Sequence, residues 1–120
     1  MIPEFPHFTA IALDDRELVD RVIASQPPLA SEYTFTNLFA WRQANRYALA
    51  RYGDGLLVRK ESPGAMSFLQ PLGIERPLDA VMDCLAYLEE AAHVPVIERV
   101  DDAFLHALPS HSLKVSEERD

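Results

Sequence analysis

The segment Ser31–Arg42 reads SEYTFTNLFAWR, and its composition is the strongest indication of the fold. It holds the only tryptophan of the chain, Trp41, together with Tyr33, Phe35 and Phe39. Aromatic residues make up 9% of the whole sequence, so this clustering is typical of a dense core helix or of a pocket wall. The segment therefore predicts an element that either completes the core or shapes a site.

The same segment predicts a helix that runs to about Ala44. Ser31 or Thr34 supplies the hydroxyl that caps its first turn. Helical spacing sorts the side chains into two stripes, and a helix that is apolar on two stripes is buried between layers or lines a cavity. The first stripe holds Phe35, Leu38, Phe39 and Arg42, and the second holds Asn37, Trp41 and Ala44.

Glu32 and Tyr33 precede this helix and are the candidate catalytic residues. Glu32 can orient or deprotonate an amine, and Tyr33 can protonate a leaving group. The structural alternative is that Glu32 is a first-turn acid favoured by the helix dipole and that Tyr33 is a packing aromatic. The sequence leaves both interpretations open.

Asn37, Trp41 and Arg42 are the candidate substrate-binding residues. Asn37 and Trp41 lie one turn apart, so they can present an amide and a flat apolar face to one ligand. Arg42 can bind a carboxylate or phosphate through two hydrogen bonds. The alternatives are a core tryptophan with one hydrogen-bond partner and an arginine that pairs with an acid of another domain.

The residues before this helix predict a strand followed by a helix. Phe8–Leu13 is rich in β-formers and ends at acidic residues. Asp14 and Glu17 have the spacing of a capping box, with Asp14 as the cap. Apolar residues then follow at helical spacing over residues 15–25.

The residues after it predict an antiparallel meander of three strands. Tyr47–Tyr52 and Leu56–Lys60 flank Gly53-Asp54-Gly55, which is a typical hairpin signal. Ser62-Pro63-Gly64 forms a second turn, and Ala65–Gln70 is the third strand.

The C-terminal half predicts helices that alternate with strands. Pro77 stands at the first position of a helix with an apolar stripe through about His93. Val94–Val100 is a short strand, Asp101 caps a brief helix, and Ser112–Glu117 is a final strand. This order predicts an α/β (α+β) fold in which helices flank a mixed sheet with an antiparallel meander. The strand after the long helix should run parallel to the strand before it.

Composition excludes several classes of function. The chain has 120 residues, which suits one domain, and 11 basic against 19 acidic residues give a net charge of −8. Such a surface repels phosphate backbones, so we expect no direct nucleic-acid binding. We expect no membrane span and no secretory signal, and the single Cys84 fits a reducing cytoplasm. The histidines lack metal-site spacing, so no metal is expected.

The order of elements is similar to the GNAT-like acyltransferase fold, in which a long helix follows the fourth strand. The Ser31–Arg42 motif resembles the signature of a bacterial family related to the C-terminal domain of phosphatidylglycerol lysyltransferases. Members of that family resemble two GNAT-like halves in tandem. The resemblance implies that residues 1–120 are a single GNAT-like domain, the N-terminal half of a longer protein. Ser116–Asp120 would then be the seam to the second half.

The resemblance also implies a function. Relatives transfer an acyl or aminoacyl group to an amine or a lipid hydroxyl, so acyl-CoA or aminoacyl-tRNA is the expected donor of the full protein. The first half of such tandem proteins is often degenerate. We therefore expect this half to be noncatalytic, to form one wall of an acceptor pocket and to pack against the second half. Alone, it should be inactive and should self-associate through its uncovered apolar surface.

The turn from Gln70 to Pro77 supports the expectation that this half lacks a working acyl-CoA site. An acyl-CoA site needs several backbone N–H groups converging on a pyrophosphate, and this turn has one glycine, two prolines and the acidic Glu75. Gly73 and Arg76 are its candidate cofactor-binding residues, and no cofactor is expected for this half alone. The alternatives are a stand-alone acyl-CoA-dependent N-acyltransferase and a protein-interaction module without enzymatic activity.

Overall fold

A computed structural model describes residues 2–27, 33–75, 77–106 and 108. Five strands form one sheet in sequential order. All neighbouring strands are antiparallel except the last two, which are parallel, so the predicted mixed sheet with its meander is confirmed. The strands are β1 (Thr9–Ala10), β2 (Tyr47–Tyr52), β3 (Gly55–Ser62), β4 (Ala65–Leu69) and β5 (Ile97–Glu98).

Helices flank the sheet, and none in the described part of the chain is long and apolar enough to cross a membrane. The predicted helix at Pro77 is confirmed, and so is the cap at Asp101, whose Oδ1 accepts from the Phe104 N–H at 2.8 Å. The helices are α1 (Arg16–Ser25), α2 (Phe35–Ala40), α3 (Arg42–Asn45), α4 (Pro77–Glu90) and α5 (Asp102–His106).

Two tight turns connect the meander as the sequence predicts. Tyr52 pairs with Gly55 across the first turn, and Ser62 pairs with Ala65 across the second. Glycine takes a positive φ in both turns, which is the backbone conformation that tight hairpins require. The three central strands therefore form from residues that are close in sequence.

Three predicted elements differ from the structure. The opening strand is confined to Thr9–Ala10. The residue at the N-cap of α1 is Asp15 instead of Asp14, and its side chain makes no capping bond to the helix: Oδ2 accepts from the Ala12 N–H at 2.9 Å within the preceding 3₁₀ turn. The strand predicted over Val94–Val100 shortens to Ile97–Glu98. The predicted strand Ser112–Glu117 lies outside the described residues.

The helix predicted to run unbroken to Ala44 is interrupted. Thr34 caps α2, since its Oγ1 accepts from the Asn37 N–H at 3.1 Å. Trp41 then leaves helical geometry at φ −97° and ψ 11°, and α3 follows as a separate turn. Arg46, at φ 46°, ends α3 in the left-handed conformation typical of helix C-termini. The break turns Trp41 outward.

The two faces of the sheet carry different cores, because successive strand residues point to opposite sides. We call the side covered by α1 and α2 the cleft face. Its buried residues include Leu49, Val58 and Leu69 of the sheet, with Val19 and Leu38 of the helices.

The opposite side is the α4 face, where Leu57 and Phe68 pack against Ala80, Cys84 and Leu88 of α4. Further rings surround Phe68 on this face: its centroid lies 5.7 Å from those of both Phe8 and Tyr87.

Candidate functional site

A cleft of about 400 Å³ opens on the cleft face, between the α2–α3 break and the sheet. Asn37, Trp41 and Ala44 form its outer wall. Tyr47 and Leu69 are its sheet residues, from the start of β2 and the end of β4. The predicted second stripe of the aromatic helix therefore lines a cavity.

Trp41 dominates the outer wall. Its side chain is 61% exposed, although the residues of the first stripe, Phe35 and Leu38, are buried. The helix break produces this difference in exposure, because Trp41 is the C-cap of α2 and also the N-cap of α3. An exposed indole beside the Asn37 amide offers one flat apolar face and one hydrogen-bonding group.

Tyr33 lies at the inner end of the cleft and is 2% exposed. Its hydroxyl donates to the Arg99 carbonyl oxygen at 2.7 Å and accepts from the Gln70 N–H at 3.2 Å. The Phe68 N–H, two residues earlier on the same strand edge, bonds to the Val96 carbonyl oxygen. The Tyr33 hydroxyl thus stands where the pairing of β4 with β5 ends.

Arg99 lines the cleft directly after β5 and has a φ of 56°. A left-handed backbone is costly for a residue with a Cβ and persists where neighbouring contacts fix it. The Tyr33 hydroxyl holds the Arg99 carbonyl in place, and the side chain of the buried Gln70 holds Asp101, two residues later. The Gln70 side chain accepts from the Asp101 N–H at 2.9 Å and donates to the Asp101 carboxylate at 3.2 Å.

A charged cluster continues the sheet beside the cleft. Glu98 accepts hydrogen bonds from the Ser67 hydroxyl and, at 3.2 Å, from Lys60 Nζ. Burial opposes ionisation of the Glu98 carboxyl, but the bonds from Ser67 and Lys60 and the nearby charge of Arg99 outweigh burial and lower its pKa. Glu98 is therefore a firmly ionised carboxylate with established partners.

The structure brings three of the predicted site residues together, and Arg42 and Gly73 are not among the residues that line the cleft. Tyr33, Asn37 and Trp41 line one cleft. Arg42 folds back on its own helix: Nη1 donates to the Phe39 carbonyl oxygen at 2.6 Å, and Cζ lies 3.8 Å from the centre of the Phe39 ring. Its role as a ligand-binding residue stays a prediction. Glu32 and Arg76 lie outside the described residues.

The first residues of the turn before α4 use their backbone groups internally. The Leu72 N–H and C=O both bond to Leu56 at 2.9 Å, and the Gln70 N–H bonds to Tyr33. Gly73 has a φ of 68°, and a Cβ there would meet Val22 Cγ1 at 2.5 Å. Its small size lets the turn approach α1. Whether Gly73 also contacts a cofactor stays a prediction.

Sequence reasoning missed the rest of the cleft. Leu69 and Arg99 come from segments that are distant from Asn45 and Tyr47, and no local pattern connects these three parts of the chain. Asn45 Nδ2 donates to the Tyr47 hydroxyl at 3.1 Å, which orders the mouth of the cleft. Within the described ranges, no group of three His, Cys, Asp or Glu residues could hold a metal ion.

Comparison with known proteins shows similarity to a family in sequence and to a solved structure in fold. Residues 24–120 match the family described as phosphatidylglycerol lysyltransferase, C-terminal. The fold is similar to a crystal structure of a conserved protein of unknown function from Bacteroides thetaiotaomicron VPI-5482, with a TM-score of 0.76 and 19% identity. That match covers 92% of this chain and 37% of the Bacteroides chain. None of the curated proteins matches the sequence.

Proposed function

Because the chain belongs to the family of phosphatidylglycerol lysyltransferase C-terminal domains, we propose that it is a noncatalytic half of an acyl- or aminoacyltransferase-like protein. In this proposal the half is GNAT-like, and its cleft is one wall of the acceptor pocket. A second GNAT-like half of the same protein closes the pocket and supplies the donor site.

The exposure of Trp41 carries the proposal. A large aromatic side chain that is 61% exposed at the rim of a cleft is typical of a surface that contacts a ligand or another domain. The opposite wall is already ordered by Tyr33 and its two hydrogen bonds. The cleft thus has one fixed side and one open side, as a pocket completed by a partner would have.

The turn before α4 supports a noncatalytic role. A pyrophosphate site at this turn would need free N–H groups, yet those of Gln70 and Leu72 are already bonded and Pro71 has none. A donor bound by the second half is consistent with this arrangement. The present chain covers 37% of the similar Bacteroides chain, so the proposed second half would belong to such a longer protein.

Transfer assays on the full-length parent protein test the proposal. Labelled lysyl-tRNA and acetyl-CoA serve as donors, with phosphatidylglycerol vesicles and a small amine as acceptors. Trp41→Ala should raise the KM for the acceptor about tenfold or more and leave the KM for the donor unchanged. Met82→Ala, an exposed apolar residue on α4, is the matched control and should change neither value.

Two outcomes would contradict the proposal. Transfer by Trp41→Ala with an unchanged KM for the acceptor would show that the cleft is not part of the acceptor site. Acetyl transfer by residues 1–120 alone would establish the stand-alone N-acyltransferase instead. A thermal-shift titration of this chain with acetyl-CoA gives an independent check, and the proposal expects no shift.

A further inference from the structure

The rim of the α4 face combines aromatic rings with carboxylates. The rings of Phe5, Tyr52 and Tyr87 are half-buried, and the centroid of the Phe5 ring lies 5.9 Å from those of both tyrosines. The Tyr52 hydroxyl donates to Asp83 Oδ2 at 2.6 Å. Burial, this bond and the negative charges of Asp83 and Asp79 all raise the pKa of Tyr52, so both carboxylates act at this ring. We call these five residues the acidic–aromatic patch.

The outer stripe of α4 extends this patch. Its members have helical spacing and are all exposed: Asp79, Met82, Asp83 and Ala86. The helix contains four acidic residues and no basic one. In the described part of the chain, neither Asp79 nor Asp83 forms an ion pair with a basic side chain. The stripe therefore presents negative charge that no basic side chain neutralises, directly beside aromatic rings.

The neighbouring part of the same aromatic cluster already holds a guanidinium. Arg59 Cζ lies 4.5 Å from the centre of the Phe8 ring, and Arg59 Nη1 donates to the Tyr87 hydroxyl at 2.7 Å. Among the described residues, no carboxylate forms an ion pair with Arg59, and an aromatic face and a hydroxyl contact its charge instead. The Phe8 ring lies 6.0 Å from the Phe5 ring, centroid to centroid, so this internal contact adjoins the patch.

We propose that the acidic–aromatic patch docks an arginine-bearing segment of a partner protein. A guanidinium stacks on aromatic faces and forms paired hydrogen bonds with carboxylates, so the rings and the two aspartates complement it in shape and charge. The exposed Met82 offers an apolar contact to the stem of the arginine side chain. Arginine is the expected residue because Arg59 shows a planar guanidinium on the same cluster. The patch lies on the opposite side of the sheet from the cleft, so this inference goes beyond the proposed function and does not depend on it.

Titration of residues 1–120 with tri-arginine amide tests the proposal, and tri-citrulline amide is the uncharged control of the same shape. In two-dimensional NMR, the backbone amides of residues 79–86 should shift in a saturable manner with tri-arginine at millimolar concentration and should not shift with tri-citrulline. Trp41, the only tryptophan, lines the cleft, so its emission should stay unchanged. Equal shifts with both peptides, or no saturable shift with tri-arginine, would overturn the proposal. A change in Trp41 emission without shifts in residues 79–86 would place binding at the cleft and would also overturn it.

Two acid variants separate the patch from the general charge of the protein. Asp83→Asn should weaken tri-arginine binding about two- to fivefold, because an exposed ion pair is lost. Glu17→Gln is the matched control: Glu17 is an exposed acid of α1, which covers the cleft face, so binding should be unchanged. Equal weakening in both variants would indicate general attraction to an acidic protein and would overturn the assignment to the patch.

Two tyrosine variants test the stacking contact. Tyr52→Leu removes the ring and should weaken tri-arginine binding about two- to fivefold. Tyr52→Phe keeps the ring and releases Asp83 from its hydrogen bond, so it should bind at least as tightly as the wild type. Equal weakening in both tyrosine variants would contradict stacking on Tyr52. Asp83→Asn changes an exposed side chain, so the test remains decisive even if Tyr52→Leu fails to fold.

Discussion

The cleft face and the α4 face share one sheet but are covered in different ways. On the α4 face, one helix of 14 residues lies over Leu57 and Phe68 and buries Ala80, Cys84 and Leu88 against them. On the cleft face, the ten-residue α1 covers part of the sheet, whereas α2 has six residues and α3 has four, and the chain changes direction between these two at Trp41. The cleft lies on the second face.

The difference shows that helix continuity decides which face can hold a site. An unbroken helix with one apolar stripe fills the space above the strands. A helix that breaks in its middle leaves part of the sheet uncovered, and polar residues from other segments fill the rim. Changes at buried residues of the α4 face should therefore be costly, whereas exposed side chains at the rim of the cavity should tolerate changes.

Replacing Phe68 gives the largest expected effect. Phe68 is 0% exposed and contacts the rings of Phe8 and Tyr87, so Phe68→Ala should cost about 3–5 kcal/mol in the free energy of unfolding. Urea denaturation measures this loss. Phe39→Ala is the counterpart on the cleft face, where the half-buried ring should cost about 1–2 kcal/mol. Equal losses of unfolding free energy in Phe68→Ala and Phe39→Ala would contradict the expected difference between the two faces.

A change at Gly73 should have the next largest effect. Gly73→Ala places a Cβ 2.5 Å from Val22 Cγ1 at a φ of 68°, so overpacking and backbone strain should together cost about 2–4 kcal/mol. Gly64→Ala has a similar φ of 75° but no atom within 4 Å, and it should cost about 1 kcal/mol. The difference between the two losses of unfolding free energy measures the overpacking of Gly73→Ala against α1. Equal losses would show that Val22 moves aside at no cost.

Tyr33→Phe tests the junction inside the cleft. Loss of the hydroxyl leaves the Gln70 N–H and the Arg99 carbonyl without this partner, which should cost about 1–3 kcal/mol. Hydrogen exchange at the Gln70 amide should become faster. Tyr47→Phe removes the hydroxyl that accepts from Asn45 Nδ2. It should leave hydrogen exchange at the Gln70 amide unchanged. Unchanged exchange in Tyr33→Phe would mean that another group holds the junction.

Glu98→Gln should have the smallest effect, and the effect should depend on pH. The folded state lowers the pKa of Glu98, so its stabilising contribution is complete above the unfolded pKa and is lost as the pH falls through the folded value. The variant should be less stable by under about 1 kcal/mol at neutral pH and equal to the wild type in strong acid. Glu90→Gln, exposed on α4, is the control. A difference that persists in acid would exclude ionisation as its cause.

Local patterns in the sequence predict most of the architecture. Gly53-Asp54 and Pro63-Gly64 define the hairpins, and Pro77 marks the start of α4. These features depend on neighbouring residues, so a linear sequence contains the necessary information. The parallel pairing of β4 with β5 is also predictable, because a long helix connects them.

Features that depend on distant contacts are not predictable in this way. The end of β5 at Glu98 coincides with the Tyr33 hydroxyl, which comes from a remote part of the chain and bonds to Gln70, directly after β4, and to Arg99. The choice of Asp15 over Asp14 follows from the 3₁₀ turn that precedes α1. In the cleft, Asn37 and Trp41 were recognisable by helical spacing, whereas Arg99 was not, because only the fold brings it to them.

The parallel pairing of β4 with β5 also has a consequence for the order of folding. The meander β2–β3–β4 pairs residues that are near one another in sequence, so its loop-closure cost is small and it can form early. Joining β5 to β4 closes a longer loop that contains the whole of α4, so we expect this step to follow the meander. Because Arg99 directly follows β5, we expect the cleft to be completed after the meander and to open before it in local unfolding.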